Sequence, residues 1–361
     1  PANDLDLATD ATPDTIEKLF TKTVSVGRAF GVMLVIEDGV SFEVATFRSD
    51  GAYVNGRHPE HVVFTTPEED ALRRDFTVNA LFYDLHQGRV LDFVGGVEDL
   101  RRKVIKAVGD AETRFGEDHL RLLRAVRFSA QLDFEIESAT FRAVRKGASL
   151  VRSVSAERIH EETFKLLKAQ NPLRGLTLLE NSGLGAELFP GWTQTFARAS
   201  MDFAKLFATR ASDEALLWTR FLAPWVLSRT AGWKQILADY RFSKLLAKDV
   251  GKALQLLETS KDFFSASEGE RLLQLRDPGT HLFLEICASL NIEAPAVSAL
   301  QRRWDEWGRT MPEPLIRAAD LKMVSGKELG ELLKRCYLLQ LQNPKSTKEQ
   351  IMNQALKILT T

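Results

Sequence analysis

The chain has 361 residues, 44% of them hydrophobic, and a formal net charge of -1. That length exceeds what one core usually serves, so two to four modules are expected. No apolar run reaches ~18 residues, which argues against a helical membrane span. Two cysteines, Cys287 and Cys336, exclude a disulfide framework and point to buried thiols in a reducing compartment. No signal peptide is visible.

The first segment is Asn3-Asp4-Leu5-Asp6-Leu7-Ala8-Thr9. On a strand, Asp4 and Asp6 point to the same face. Two adjacent carboxylates repel unless a cation lies between them, and their hard oxygens suit Mg²⁺. Asp-x-Asp alone is weak, since a solvated loop or a helix cap would use the same residues. A helix follows over Pro13–Phe20, with Thr12 as its N-cap and Pro13 at its first position. Gly31–Ile36 reads as a strand, as does Ser41–Arg48. In the second run Phe42, Val44 and Thr46 share one face, and Glu43, Ala45 and Phe47 the other. A third acid at Glu43 would complete a two-metal site of the kind that clamps the oxygens of a phosphoryl displacement. The ordinary alternative pairs Glu43 with Arg48 on an exposed edge.

Val62–Phe64, Leu81–Tyr83, Val90–Val94 and Val104–Val108 add strand candidates, with a turn at Gly95-Gly96. Between them lies Arg73-Arg74-Asp75-Phe76-Thr77-Val78-Asn79. Arg74 suits a phosphate, because its planar fork binds oxygens bidentately. Asn79 can donate and accept, as a ribose hydroxyl requires. Either residue alone would be an ordinary surface side chain.

Beyond residue 110 the periodicity is helical nearly to the end. A helix over Glu117–Gln131 places Asp118, Arg121, Arg124 and Arg127 on one half of its cylinder, and Leu122, Leu123, Val126 and Ala130 on the other. Arg can donate to cytosine, and Asp can accept from the exocyclic amino group of cytosine or adenine. A salt bridge between Asp118 and Arg121 on a solvated helix is the plain alternative. Ser155–Lys168 is a further helix with Ser155 as N-cap. Pro172, Pro190, Pro224, Pro278, Pro295, Pro312 and Pro314 punctuate later helices, and Pro312–Pro314 reads as a hinge. Residues 1–100 are strongly acidic, whereas 101–170 are basic. A basic stripe from Arg101 through Arg142, Arg145, Lys146 and Arg152 would suit RNA phosphates. The six tryptophans are expected in cores, and the histidines show no metal-ligand spacing.

Six segments, in order and in register, resemble the bacterial class II tRNA nucleotidyltransferase and poly(A) polymerase family. They are Asp4-Leu5-Asp6, Phe42–Arg48, Asn55-Gly56-Arg57-His58-Pro59, Arg73–Ala80, Glu117–Phe128 and Ser155–Ile159. The resemblance is strong over the first half and loose over the second. It implies an α+β protein: a small mixed-sheet head of the polymerase-β type over 1–108, a helical neck over 109–170, a helical body over 171–290 and an RNA-binding tail over 291–361. It assigns Asp4 and Asp6 to Mg²⁺ and Glu43 to the third acid. Arg57 would lie on a loop that helps place the incoming base. Arg74, Asp75 and Asn79 would hold sugar and triphosphate, Asp118 and Arg121 would select the base, and Arg124 and Arg127 would complete the nucleotide site.

The family's Gly-Gly turn and Arg-Asp pair are absent ahead of Asp4 and are expected to belong to a longer natural N-terminus. The implied reaction adds CMP and AMP from CTP and ATP to the 3′ end of tRNA, in the cytoplasm and away from membranes. Addition of the terminal A alone is equally compatible. Alternatives are a poly(A) polymerase acting on general RNA ends, or a non-catalytic RNA-binding protein that keeps the fold. Retention of the 55–59 loop argues against an enzyme adding only the two cytidines. A single basic residue at Arg28 and the lack of a basic C-terminal tract favour tRNA over poly(A) synthesis.

Overall fold

A computed structural model describes residues 6–51, 53–54, 58–59, 61–321 and 324–357, without side chains for 53–54 and 58–59. Asp4 and Arg57 lie outside the described residues. The chain divides into two compact units, Pro1–Thr193 and Gln194–Thr361.

The first unit begins with β1 (Asp6–Thr9), α1 (Pro13–Leu19), β2 (Thr23–Gly27), β3 (Val32–Glu37) and β4 (Val40–Thr46). The four strands form one sheet in the order β1-β4-β3-β2. β1 runs parallel to β4, and the remaining pairs are antiparallel. Thr12 caps α1 by accepting from the Thr15 N–H, and Pro13 follows where no donor is needed. α1 packs Ile16 against Met33, Val35 and Val44, which share one face of the sheet. The period of two then turns Glu43 to the opposite, open face.

Short strands β5 (Arg48–Asp50), β6 (Tyr53–Val54), β7 (His58–Pro59) and β8 (Val62–Phe64) come next, followed by α2 (Pro67–Leu72). The hairpin of β9 (Leu81–Asp84) and β10 (Arg89–Asp92) leads into α3 (Gly96–Arg102). The strand expected over Val104–Val108 is only β11 (Val104–Ile105). Ala107 departs from it to bridge Phe76.

The helical part of the first unit comprises α4 (Ala111–Glu117), α5 (Leu120–Leu132), the short β12 (Glu135–Ile136), α6 (Ser138–Lys146), α7 (Ala156–Leu167), α8 (Pro172–Ser182) and α9 (Leu184–Leu188). The expected continuous helix from Glu117 is therefore two helices. Asp118 is extended (φ −132°, ψ 106°), so it ends the first helix and lies between the two, with its carboxylate accepting from the Leu120 N–H.

α10 (Trp192–Leu206) is kinked at Ala199. The second unit continues through α11 (Glu214–Leu227), α12 (Trp233–Asp239), α13 (Lys244–Glu258), α14 (Ser260–Ser265), α15 (Glu268–Gln274), α16 (Pro278–Leu290), α17 (Ala294–Glu306), α18 (Gly326–Gln342) and α19 (Lys348–Lys357). Pro224 was expected to end a helix but sits inside α11. Phe221 and Trp225 on either side of it are fully buried, and that packing outweighs the lost backbone hydrogen bond. The Pro312–Pro314 stretch is tied to α18. Tyr337 Oη donates to the Pro312 carbonyl, and Gln340 bonds the backbone of Glu313 and Leu315. Trp192, Trp218, Trp225 and Trp233 are core residues, as expected; Trp304 and Trp307 are half-buried. Both cysteines are buried and unpaired. No described helix is long and apolar enough to cross a membrane.

Candidate active site

Parallel pairing of β1 with β4 sets Asp6 directly beside Glu43. Adjacent strands lie about 4.8 Å apart, and partners in register share a face. Both acids are exposed, and neither has a cationic partner among the described residues. This pair of hard oxygen donors, on the face opposite Val44 and α1, fits a divalent cation. Asp4, the other expected donor, lies outside the described residues. Among the described residues alone, no group of three metal-ligating side chains forms.

The chain leaving β4 is tied to the nucleotide-type segment. The Arg48 N–H donates to Asp70 Oδ2 (3.1 Å). Arg48 also pairs with Asp50 and donates to the Phe30 carbonyl, which disposes of the simple Glu43–Arg48 edge pair. Asp70 Oδ1 accepts from Arg74 Nε at 3.1 Å, and Arg74 Nη1 donates to the Asn79 carbonyl at 3.2 Å. The Arg74 guanidinium lies 4.7 Å from the Phe82 ring centre, a favourable cation–π distance. Phe82 in turn meets Phe47 edge-on.

Asp75 spends both carboxylate oxygens on the protein. Oδ1 accepts from the Phe76 N–H (2.8 Å) and from Asn79 Nδ2 (3.2 Å); Oδ2 accepts from Arg124 Nε (2.8 Å). Asn79 is thereby oriented on its short helical turn, Thr77–Asn79. Burial lowers the Arg124 pKa, but the charges of Asp75 and Glu162 outweigh it and hold the guanidinium above its ordinary value. Arg127 is buried, donates to Glu162 Oε2 and Gln131 Oε1, and lies over Phe128 at 3.6 Å. For Arg127 desolvation wins, and its pKa falls despite Glu162.

The two base-selecting candidates do not pair with each other. Asp118 binds Arg158 Nη2 at 2.7 Å. Arg121 is 8% exposed and donates to Glu117, to the Arg114 carbonyl and to the Arg73 carbonyl. The polar half of α5 therefore faces protein at Arg121 and Arg127, whereas Arg124 stays partly open. Sequence reasoning assigned no role to Asp70, Arg158 or Glu162. Arg158 and Glu162 are spaced i,i+4 on α7, so one face of that helix carries both; that spacing was the available signal. Asp70 carried none, being one of three acids in the first turn of α2. Along the proposed basic stripe, Arg101, Lys146 and Arg152 are exposed but paired with Glu98, Glu112 and Glu187.

The poly A polymerase head domain model matches residues 1–106. The model described as a probable RNA and SrmB-binding site of polymerase A matches residues 133–196. The CCA-adding enzyme of Bacillus pumilus is 47% identical over 52% of this chain and 47% of its own length, so that match spans about half of the relative. The CCA-adding enzyme of Pediococcus pentosaceus is 32% identical over 99% of this chain and 88% of its own. The crystal structure of the Bacillus stearothermophilus CCA-adding enzyme in complex with CTP superposes with a TM-score of 0.81. It is 27% identical and covers 100% of this chain and 89% of that one.

A small mixed sheet with paired acids on its open face, followed in the chain by a helix whose arginines bond Asp75 and the Arg73 carbonyl, is the arrangement of a nucleotidyltransferase head with a helical extension. The chain belongs to the bacterial class II tRNA nucleotidyltransferase and poly(A) polymerase family.

Proposed function

We propose that this protein completes the 3′ end of tRNA, transferring CMP and AMP from CTP and ATP to the terminal hydroxyl and releasing pyrophosphate. The observation that carries the reading is the register of Asp6 beside Glu43 on the open face of the sheet. The names of the relatives, all CCA-adding enzymes, supply the substrate class.

Asp4, Asp6 and Glu43 would hold divalent metal, Mg²⁺ in this reading. When bound there, it supplies triphosphate charge neutralisation and a lowered pKa for the attacking hydroxyl. Arg74 offers Nη2, which has no hydrogen-bond partner among the described residues, to a phosphate oxygen. Asn79 offers its side-chain oxygen to a ribose hydroxyl, while Asp75 acts by holding Asn79 and Arg124 in place. Asp118 and Arg121 would read the base edge by exchanging bonds they now make to Arg158 and Glu117, and Arg57 would help to place it. Arg124 adds positive charge beside the nucleotide, and Arg127 stiffens α5 against α7. RNA lies along the helical extension, divided as neck (109–170), body (171–290) and tail (291–361). The compartment is the cytoplasm.

One incubation tests the proposal. tRNAs ending before CCA, after C and after CC are offered CTP and ATP, singly and together, and the products are sized on a gel. One to three additions that then stop support tRNA completion. Long ladders from ATP on any RNA indicate a poly(A) polymerase, and binding without extension indicates a non-catalytic protein. Addition of A alone to the CC end narrows the activity to the last step. Arg121→Ala should relax nucleotide choice in competition more than it weakens RNA affinity.

A further inference from the structure

Arg73 and Arg74 are adjacent in sequence but are treated differently by one buried carboxylate. Asp70 is 2% exposed. It sits in the first turn of α2, where the helix dipole favours an acid. Its Oδ2 accepts from Arg73 Nε (3.1 Å), from Arg73 Nη2 (2.8 Å) and from the Arg48 N–H. Arg73 Nε also reaches the Arg48 carbonyl (3.0 Å), and its Nη1 lies 3.8 Å from Asp50. Arg73 is therefore committed to the protein. Arg74 gives Asp70 only its Nε, and its Nη1 goes to the Asn79 carbonyl. Its Nη2 carries no hydrogen bond among the described residues, and its side chain is about one-third exposed.

We propose that Asp70 is a positioning residue for the incoming nucleotide: it fixes Arg74 so that the free Nη2 edge meets the triphosphate. The proposal rests on the nucleotidyl transfer inferred above. Through the Arg48 N–H the same carboxylate holds the exit of β4, the strand that carries Glu43. One buried acid thus relates the phosphate-binding arginine to the metal-side strand. Losing a charge-assisted hydrogen bond of this kind lowers affinity roughly tenfold.

The test measures ATP binding to the full chain by calorimetry, so it does not depend on turnover. Asp70→Asn, Arg74→Ala and the double variant are compared. Asp70→Asn and Arg74→Ala should each weaken ATP about tenfold, and the double variant should be no more than about twofold weaker than Arg74→Ala. A purely structural role would lower thermal stability and add fully in the double variant, which would overturn the proposal. So would a folded Asp70→Asn protein that binds ATP as tightly as wild type. Arg74→Lys covers the case where Asp70→Asn does not fold. It keeps the charge but loses the Nε bond, so it should bind ATP about as weakly as Arg74→Ala, and wild-type binding would overturn the proposal. Absence of tRNA extension by wild type that still binds ATP would fault the transfer reading and leave the Asp70 comparison intact.

Discussion

Arg127 Nε lies 2.5 Å from Glu162 Oε2, and both side chains are almost fully buried. The contact joins α5 to α7 beneath the nucleotide-type arginines. Glu162 also lies 3.9 Å from Arg124, which in turn holds Asp75. One carboxylate of α7 therefore underlies three residues assigned to the nucleotide site.

Removing one member of such a pair leaves an uncompensated buried charge. Glu162→Ala should cost about 3–5 kcal/mol, read by chemical denaturation. Glu162→Gln should cost less, because it still accepts from Arg127. Equal stability of wild type and Glu162→Ala would show that the pair is solvated in practice.

Gly96 opens α3 where the backbone of the Thr77–Asn79 turn comes close. A Cβ there would lie 2.2 Å from the Thr77 carbonyl oxygen. Thr77 Oγ1 donates to Asp99 Oδ2 on the same helix (2.8 Å). Gly96→Ala should therefore destabilise the fold by about 1–3 kcal/mol and shift the turn that carries Asn79. A lower melting temperature together with a raised KM for ATP would bear this out; an unchanged protein would not.

Asp92 holds the loop before α3. Its carboxylate accepts from the backbone N–H groups of Val94, Gly95, Gly96 and Val97. Burial pushes its pKa up, but those four donors outweigh burial and keep the carboxyl below its ordinary range. A depressed folded-state pKa contributes stability above the unfolded-state value, and that stability is lost as pH falls through the folded value. Asp92→Asn should therefore flatten the acid limb of the stability–pH curve. Parallel curves for variant and wild type would contradict this.

Burial pushes the Cys287 thiol up to about 12, and burial raises Cys336 as well. Since the thiolate is the reactive form, neither should react with a thiol reagent at neutral pH in the native state. Both should react on unfolding. Rapid labelling of the folded protein would mean that the helices around them open locally.

The head was legible because its signals are local. The alternation over Ser41–Arg48 identified β4 and set Glu43 on the face away from Val44, and Thr12 with Pro13 marked α1. Helical periodicity gave α5 but missed its start, because Asp118 leaves the helical conformation between α4 and α5 and periodicity does not register one extended residue. The same periodicity put Arg121 and Arg127 on a polar face, but it carries no information about what covers that face. Their partners come from as far away as Arg73 and Glu162. The role of Asp70 rests on contacts to Arg48, Arg73 and Arg74, which become visible only when the backbone is folded. Pro224 shows the limit of punctuation rules, because the core around Phe221 and Trp225 holds α11 together across it.

The claim that Asp6 and Glu43 form the reacting centre is tested most directly by single-turnover extension of a tRNA ending in CC, with ATP and Mg²⁺. Asp6→Asn and Glu43→Gln are each compared with wild type, alongside RNA binding by gel shift. Asp6→Asn should lower the extension rate by about a thousandfold or more, Glu43→Gln should lower it substantially, and both should bind RNA as wild type does. Extension at the wild-type rate by Asp6→Asn would contradict the assignment.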